Sequence, residues 1–230
     1  MFIKYGTVIL FCTLPFLSLA SINVGVDIWE PYVKADRTGI ADKKVSCLMR
    51  EAGLTPIYKN YPWPRIYKMI RGGEIDISYP WSYTPERDGD VIFSNAIIYD
   101  KEVLLHLRDT PIEWTDISDL SKYRIGSQIG YSHVEILAMN NITPAVKVKT
   151  EQQLLGMLFS RRIDTFPINA SVLDILIQSL SAEKITQLEV SAVPFQRNSM
   201  HIISTNDDKG KVLIEKINNV LSRRVCGEVR

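Results

Sequence analysis

Short β-rich runs alternating with helical patterns of roughly ten residues predict an α/β fold of βαβ units. The long β-rich run Ala96–His106, with no helix after it, and the two extended runs Leu188–Val193 and Ser199–Ser204 near the end predict that these units form two lobes joined by two crossover strands. The lobes are expected at 21–97 with 198–230 and at 98–197, each a mainly parallel sheet flanked by helices. Ligands of open α/β sheets bind beyond the carboxyl ends of the strands, so two facing lobes make a cleft.

Ile22–Asp27 reads as the first strand. Ala41–Ala52 reads as a helix because Val45, Leu48, Met49 and Ala52 fall on one side and Gly53 supplies the stop. Pro56–Tyr58 is a short strand, Pro64–Ile70 a helix ended by Gly72 and Gly73, and Ile75–Tyr79 the next strand. A helix is then expected from Thr84, a good N-cap, with Pro85 at its first position. Arg87 in that first turn would oppose the helix dipole by about 0.3–1 kcal/mol. Such a cation makes sense where an anion sits beside it, held by the guanidinium fork and free backbone N–H groups. An exposed pair with Glu86 or Asp88 is the alternative. Trp63-Pro64-Arg65 repeats the pattern at another helix start, and Trp29 and Trp63, in loops, suit a cleft better than a core. For Trp81 and Tyr83 core and cleft stay equally open.

The later units read as strand Arg124–Ser127, helix His133–Asn140, strand Val146–Val148, helix Glu151–Ser160, strand Ile163–Phe166 and helix Val172–Leu180. Ser132 with Glu135 and Thr150 with Gln153 have capping-box spacing. Leu188–Val193 and Ser199–Ser204 are extended, and a last helix runs from about Asp207 to Arg223.

The N-terminal twenty residues stand apart from this pattern. Lys4, the apolar run Tyr5–Leu19 and the small residues Ser18 and Ala20 predict a signal peptide over 1–20, with Ser21 as the first mature residue. The run is short for a membrane span and contains Pro15, so no membrane insertion is expected after cleavage. Cys12 lacks the preceding small residue of a lipoprotein signal. Without Lys4, the 27 basic residues fall to 26, equal to the 26 acidic ones. A neutral chain argues against a nucleic-acid partner or a polybasic membrane patch. Cys47 and Cys226 show no metal or redox spacing, and in an oxidising compartment a disulfide between them is expected. His106, His133 and His201 show no metal-ligand spacing, so no metal or cofactor is expected.

Trp29-Glu-Pro-Tyr32, Gly73-Glu-Ile-Asp76, Thr84-Pro-Glu-Arg87 leading to Phe93-Ser94, Asp119–Leu120 with Gly130, and Arg162-Ile-Asp164 occur in this order. In these motifs the chain resembles, over almost all of its mature length, the bacterial periplasmic solute-binding proteins of the polar-amino-acid type. The resemblance implies a two-lobed periplasmic-binding fold and a monomeric receptor for a small carboxylate-bearing solute, serving an ABC importer. It implies that Arg87 clamps the ligand carboxylate, that Trp29 and Trp63 pack on the ligand, and that Ser82 contacts it. The loop Gln128-Ile-Gly-Tyr-Ser132 would share the carboxylate through backbone N–H groups, with Gly130 permitting close approach. Arg65 joins this set as a second cation for an anionic ligand. Where amino-acid receptors place an aspartate for the ligand ammonium, this chain has Asn169, which accepts a hydrogen bond without bringing charge. The ligand is therefore an amino acid or a related organic acid.

Two rival functions use the same scaffold. One is a dehydratase-like enzyme, for which Glu30 is the nearest general acid, although no nucleophile–base arrangement or metal cluster accompanies it. The other is a soluble sensor that passes its closed state to a membrane signalling protein. The leading expectation is a binding protein and no enzyme.

Overall fold

The computed structural model describes residues 20–227, so the expected signal peptide lies outside the described residues except for Ala20, which opens the first strand. Strand β1 (Ala20–Val26) is followed by helix α1 (Ile40–Glu51), β2 (Leu54–Asn60), α2 (Trp63–Arg71), β3 (Ile77–Ser82) and the short β4 (Val91–Phe93). β1 pairs in parallel with β2 on one side and β3 on the other, the arrangement that helical crossovers produce. Asp42 of α1 fastens the entry to that helix: it accepts from the amides of Lys34 (2.8 Å) and Gly39 (3.1 Å) and from the Tyr79 hydroxyl (2.8 Å).

The ten-residue β5 (Ile98–Leu107) leads to β6 (Gly126–Gln128), α3 (Ser132–Met139), β7 (Val146–Val148), α4 (Glu151–Phe159) and β8 (Thr165–Asn169). Helices α5 (Ala170–Leu176) and α6 (Ala182–Thr186), strands β9 (Leu188–Val190) and β10 (Gln196–Thr205), and helix α7 (Asp208–Ser222) complete the chain. β6 and β7 are parallel, and a single parallel bridge from Ile125 to Thr165 ties them to β8. β5 lies antiparallel to β8 and β9.

β10 joins the two groups of strands. Its first half, Gln196–Met200, pairs antiparallel with Glu102–Ile98 of β5. Its second half pairs antiparallel with β3 and β4. The result is one mixed sheet in the order β2-β1-β3-β10-β5-β8, with β6 and β7 beside it and helices flanking the strands. The main buried cluster follows the same path, from Val24 and Leu48 through Ile98 and Met200 to Phe166 and Leu158. Cys47 of α1 and Cys226, just past α7, form a disulfide that ties the first and last helices together.

Two local expectations are corrected. Thr84–Arg87 starts no helix: the Arg87 and Asp88 amides bond the carbonyls of Thr84 (3.1 Å) and Pro85 (3.2 Å), closing two successive turns. Gly89, in the left-handed region at φ 86°, follows at once, and four residues are too few to sustain a helical nucleus. Nor do Ser132 and Glu135 form a capping box, since α3 has Tyr131 as its N-cap with no side-chain cap bond. The Thr150–Gln153 box on α4 does form.

Candidate functional site

Arg87 is held on this turn between β3 and β4, and its side chain is buried, with the residue only 5% exposed. Its guanidinium lies 5.2 Å from the ring centre of Trp81 and 6.0 Å from that of Tyr67. Burial, with Asp90 beside it, pushes the Tyr67 phenol up to about 12, so this wall stays neutral. Four of the five guanidinium N–H donors are engaged. Nε and Nη2 donate to Oε1 of Glu135 at 3.1 and 2.8 Å. Nη1 donates to the Ser82 carbonyl (3.2 Å) and Nη2 also to the Gly130 carbonyl (3.3 Å). The Thr84 hydroxyl donates to the other Glu135 oxygen at 2.5 Å. A carboxylate thus already sits in the arginine fork, and it comes from α3. A charge-assisted bond to a buried guanidinium is about twice as strong as a neutral one, which is why Glu135 leaves the capping role.

A cavity of about 30 Å³ adjoins Arg87. Trp29, Trp63 and Ser82 line it from the first group of elements, and Gly130, Ser132 and Asn169 from the second. Gly130 has φ 85°, and a Cβ there would stand 3.2 Å from Cγ of Pro64, so the loop lies against the start of α2. Arg65 is not brought to the cavity: it is exposed, with its guanidinium 4.4 Å from the ring centre of Tyr61. Gln128 is buried at the end of β6 and does not line the cavity, and its Oε1 has no hydrogen-bond partner. The same holds for Nδ2 of Asn169 and Nε1 of Trp29, both on the cavity wall.

Trp29, Trp63 and Tyr131 also line a second, larger cavity of about 720 Å³. Trp29 packs edge-on against the other two, at 6.1 and 5.6 Å between ring centres. The larger cavity is lined by the charged residues Asp27, Glu30, Lys149 and Glu151 and by the apolar Val172, Ile175 and Leu176. Burial raises the Asp27 carboxyl, and burial together with the Glu151 charge raises the Tyr131 phenol well above its ordinary value. The Tyr131 hydroxyl donates to Glu151 at 3.0 Å. The aromatic trio is thus shared by the wide cleft and the small cavity beside Arg87.

Three residues at this site escape sequence reasoning. Glu135 reads as a capping residue and Thr84 as an N-cap, because their actual partners lie about fifty positions away in the chain. Glu102 reads as one polar residue in an extended run. It is 1% exposed, lines the small cavity, and bonds His133 Nδ1 (3.0 Å) and Gln196 Nε2 (2.7 Å). The strand register sets it opposite both Asn169 and Gln196. A carboxylate directly before the apolar run Val103–Leu105 was the signal that could have marked it. Among the described residues no group of three or more His, Cys, Asp or Glu is placed to hold a metal ion, and no helix is long and apolar enough to cross a membrane.

Comparison with solved structures gives the same fold. A substrate-binding protein of an ABC uptake transporter from Streptococcus pneumoniae, with bound histidine, has a TM-score of 0.73 at 23% identity, covering 91% of this chain and 88% of that one. The AvGluR1 ligand-binding domain in complex with glutamate has a TM-score of 0.74 at 18% identity, covering 91% and 93%. A histidine kinase sensor domain with similarity to periplasmic binding proteins has a TM-score of 0.76 at 16% identity, covering 89% and 90%. No curated protein matches the chain. The family model of the bacterial extracellular solute-binding proteins, family 3, matches residues 22–224, and the chain belongs to that family.

Proposed function

We propose that the protein is a periplasmic receptor that closes around a small carboxylate-bearing solute, an amino acid or related organic acid, and presents it to an ABC importer. The observation that carries this reading is the buried Arg87 fork, which holds a carboxylate beside a cavity lined from both groups of elements. The similar structures bind histidine and glutamate, solutes of this class. The apolar N-terminal run is read as the signal peptide that directs secretion.

In this reading residues 21–97 with 198–230 form one lobe and 98–197 the other, hinged where β5 and β10 cross between them. Arg87 takes the solute carboxylate in two-point fashion, and Trp29 and Trp63 cover the organic body. Gly130, Ser132 and Asn169 complete the site on closure, while Arg65 and Gln128 stay outside the contact shell. A sensor would use the same closing step, and the likeness to the kinase sensor domain fits that use equally. Copurification with a permease rather than a membrane kinase separates the two.

Calorimetry of the wild type and Arg87→Ala against amino acids, their 2-hydroxy analogues and small aromatic acids tests the anchor. Removing one partner of a buried charge pair costs on the order of 2–5 kcal/mol, so affinity should fall roughly 30-fold or more. An unchanged affinity would remove Arg87 from the site.

A further inference from the structure

We infer that Glu135 is a tethered carboxylate that occupies the anion position at Arg87 and sets which solutes can displace it; this rests on Arg87 being the solute anchor. A guanidinium has five N–H donors. Here Nε is taken by Glu135, Nη2 by Glu135 and the Gly130 carbonyl, and Nη1 in part by the Ser82 carbonyl. One donor remains, too few for two-point capture. The cavity beside the fork, at about 30 Å³, leaves little space for a second carboxylate at the guanidinium while Glu135 is there. A solute carboxylate therefore reaches the fork only by exchanging with Glu135.

Glu135 is built to leave and its neighbour Glu102 is not. The Glu135 side chain is 28% exposed, and its hydrogen bonds are those to Arg87 and Thr84. A change of rotamer on α3 releases it to water. The Glu102 side chain is 2% exposed, and its two oxygens are held by separate partners, His133 and Gln196. Only Glu135 can act as the displaceable anion. A carboxylate tethered by a short linker competes at an effective concentration on the order of millimolar, and the solute binds only the fraction of molecules whose fork is free. Simple anions that offer nothing beyond a carboxylate are excluded. Solutes that also engage Trp29, Trp63 and Asn169 overcome the competitor.

Calorimetry on Glu135→Ala and Glu135→Gln, with the same panel of acids plus acetate, tests this directly. Both variants should bind the panel about tenfold tighter or more, and acetate should bind the variants but not the wild type. Structural damage would weaken binding, so a gain reports competition, and Glu135→Gln preserves the side-chain shape. Unchanged or weaker binding by both variants, including no binding by any form of the protein, overturns the inference. Loss of binding in Arg87→Ala without a gain in the Glu135 variants overturns this inference alone. Undiminished binding in Arg87→Ala overturns the anchor reading on which it stands.

Discussion

Burial decides what the charged side chains of this protein do. Arg124 and Asp164 approach to 2.6 Å, closer than Arg87 and Glu135 at 2.8 Å, yet Arg124 is more than half exposed. Exposed pairs contribute at most about 1 kcal/mol, whereas a desolvated arginine must be satisfied on every edge. That requirement pulls Thr84, Ser82, Gly130 and Glu135 together around Arg87. His201 on β10 illustrates the same force acting on a proton. Burial holds its imidazole below the ordinary value, against the opposing hydrogen bond to the Ser94 carbonyl at 2.7 Å. In the unfolded chain this histidine takes its proton near about pH 6.5, before the folded one does. The unfolded state then binds more protons, so stability falls as pH drops through that value and levels off below the folded pKa. Urea midpoints should therefore decline between about pH 7.5 and about 5.5, and the decline should be shallower in His201→Gln. Equal slopes for the two proteins would assign the acid sensitivity elsewhere.

At the scale of elements, local signals succeed where the partner is local. α4 starts at the Thr150–Gln153 box because both halves of that box are three residues apart. α7 is capped by Asp207, whose carboxylate accepts from the Gly210 amide at 2.7 Å, so the helix starts within a residue of the sequence expectation. The turn carrying Arg87 defeats the same logic, since a favourable N-cap and a following proline cannot outweigh Gly89 four residues on. The disulfide between α1 and the segment after α7 closes a loop spanning 179 positions. Replacing both cysteines by serine should lower unfolding free energy by about 2–4 kcal/mol, read from urea denaturation, with solute affinity unchanged. Loss of affinity in that variant would show that the tie shapes the cleft as well as the ends.

For the whole molecule, the continuous sheet and the main buried cluster both pass through β5 and β10. Calorimetric unfolding should therefore give a single cooperative transition, and two separated transitions would mean that the two groups of strands hold themselves together independently. Periodicity, turn residues and motif order were sufficient for the α/β class, for nearly every helix and strand, and for the two long strands that connect the groups. Trp29, Trp63, Ser82, Arg87, Gly130, Ser132 and Asn169, named from helix-start and loop residues and from the family resemblance, line one cavity, since each sits at a strand end, a helix start or a connecting turn. The exclusion of Arg65, the turning of Glu135 away from its own helix, the entry of Glu102 through strand register and the small cavity beside Arg87 belong to the tertiary structure alone. Local sequence encodes backbone preference over a few residues. The partner of a buried charge is chosen by which distant groups reach the same dry space, and only the folded chain defines that space.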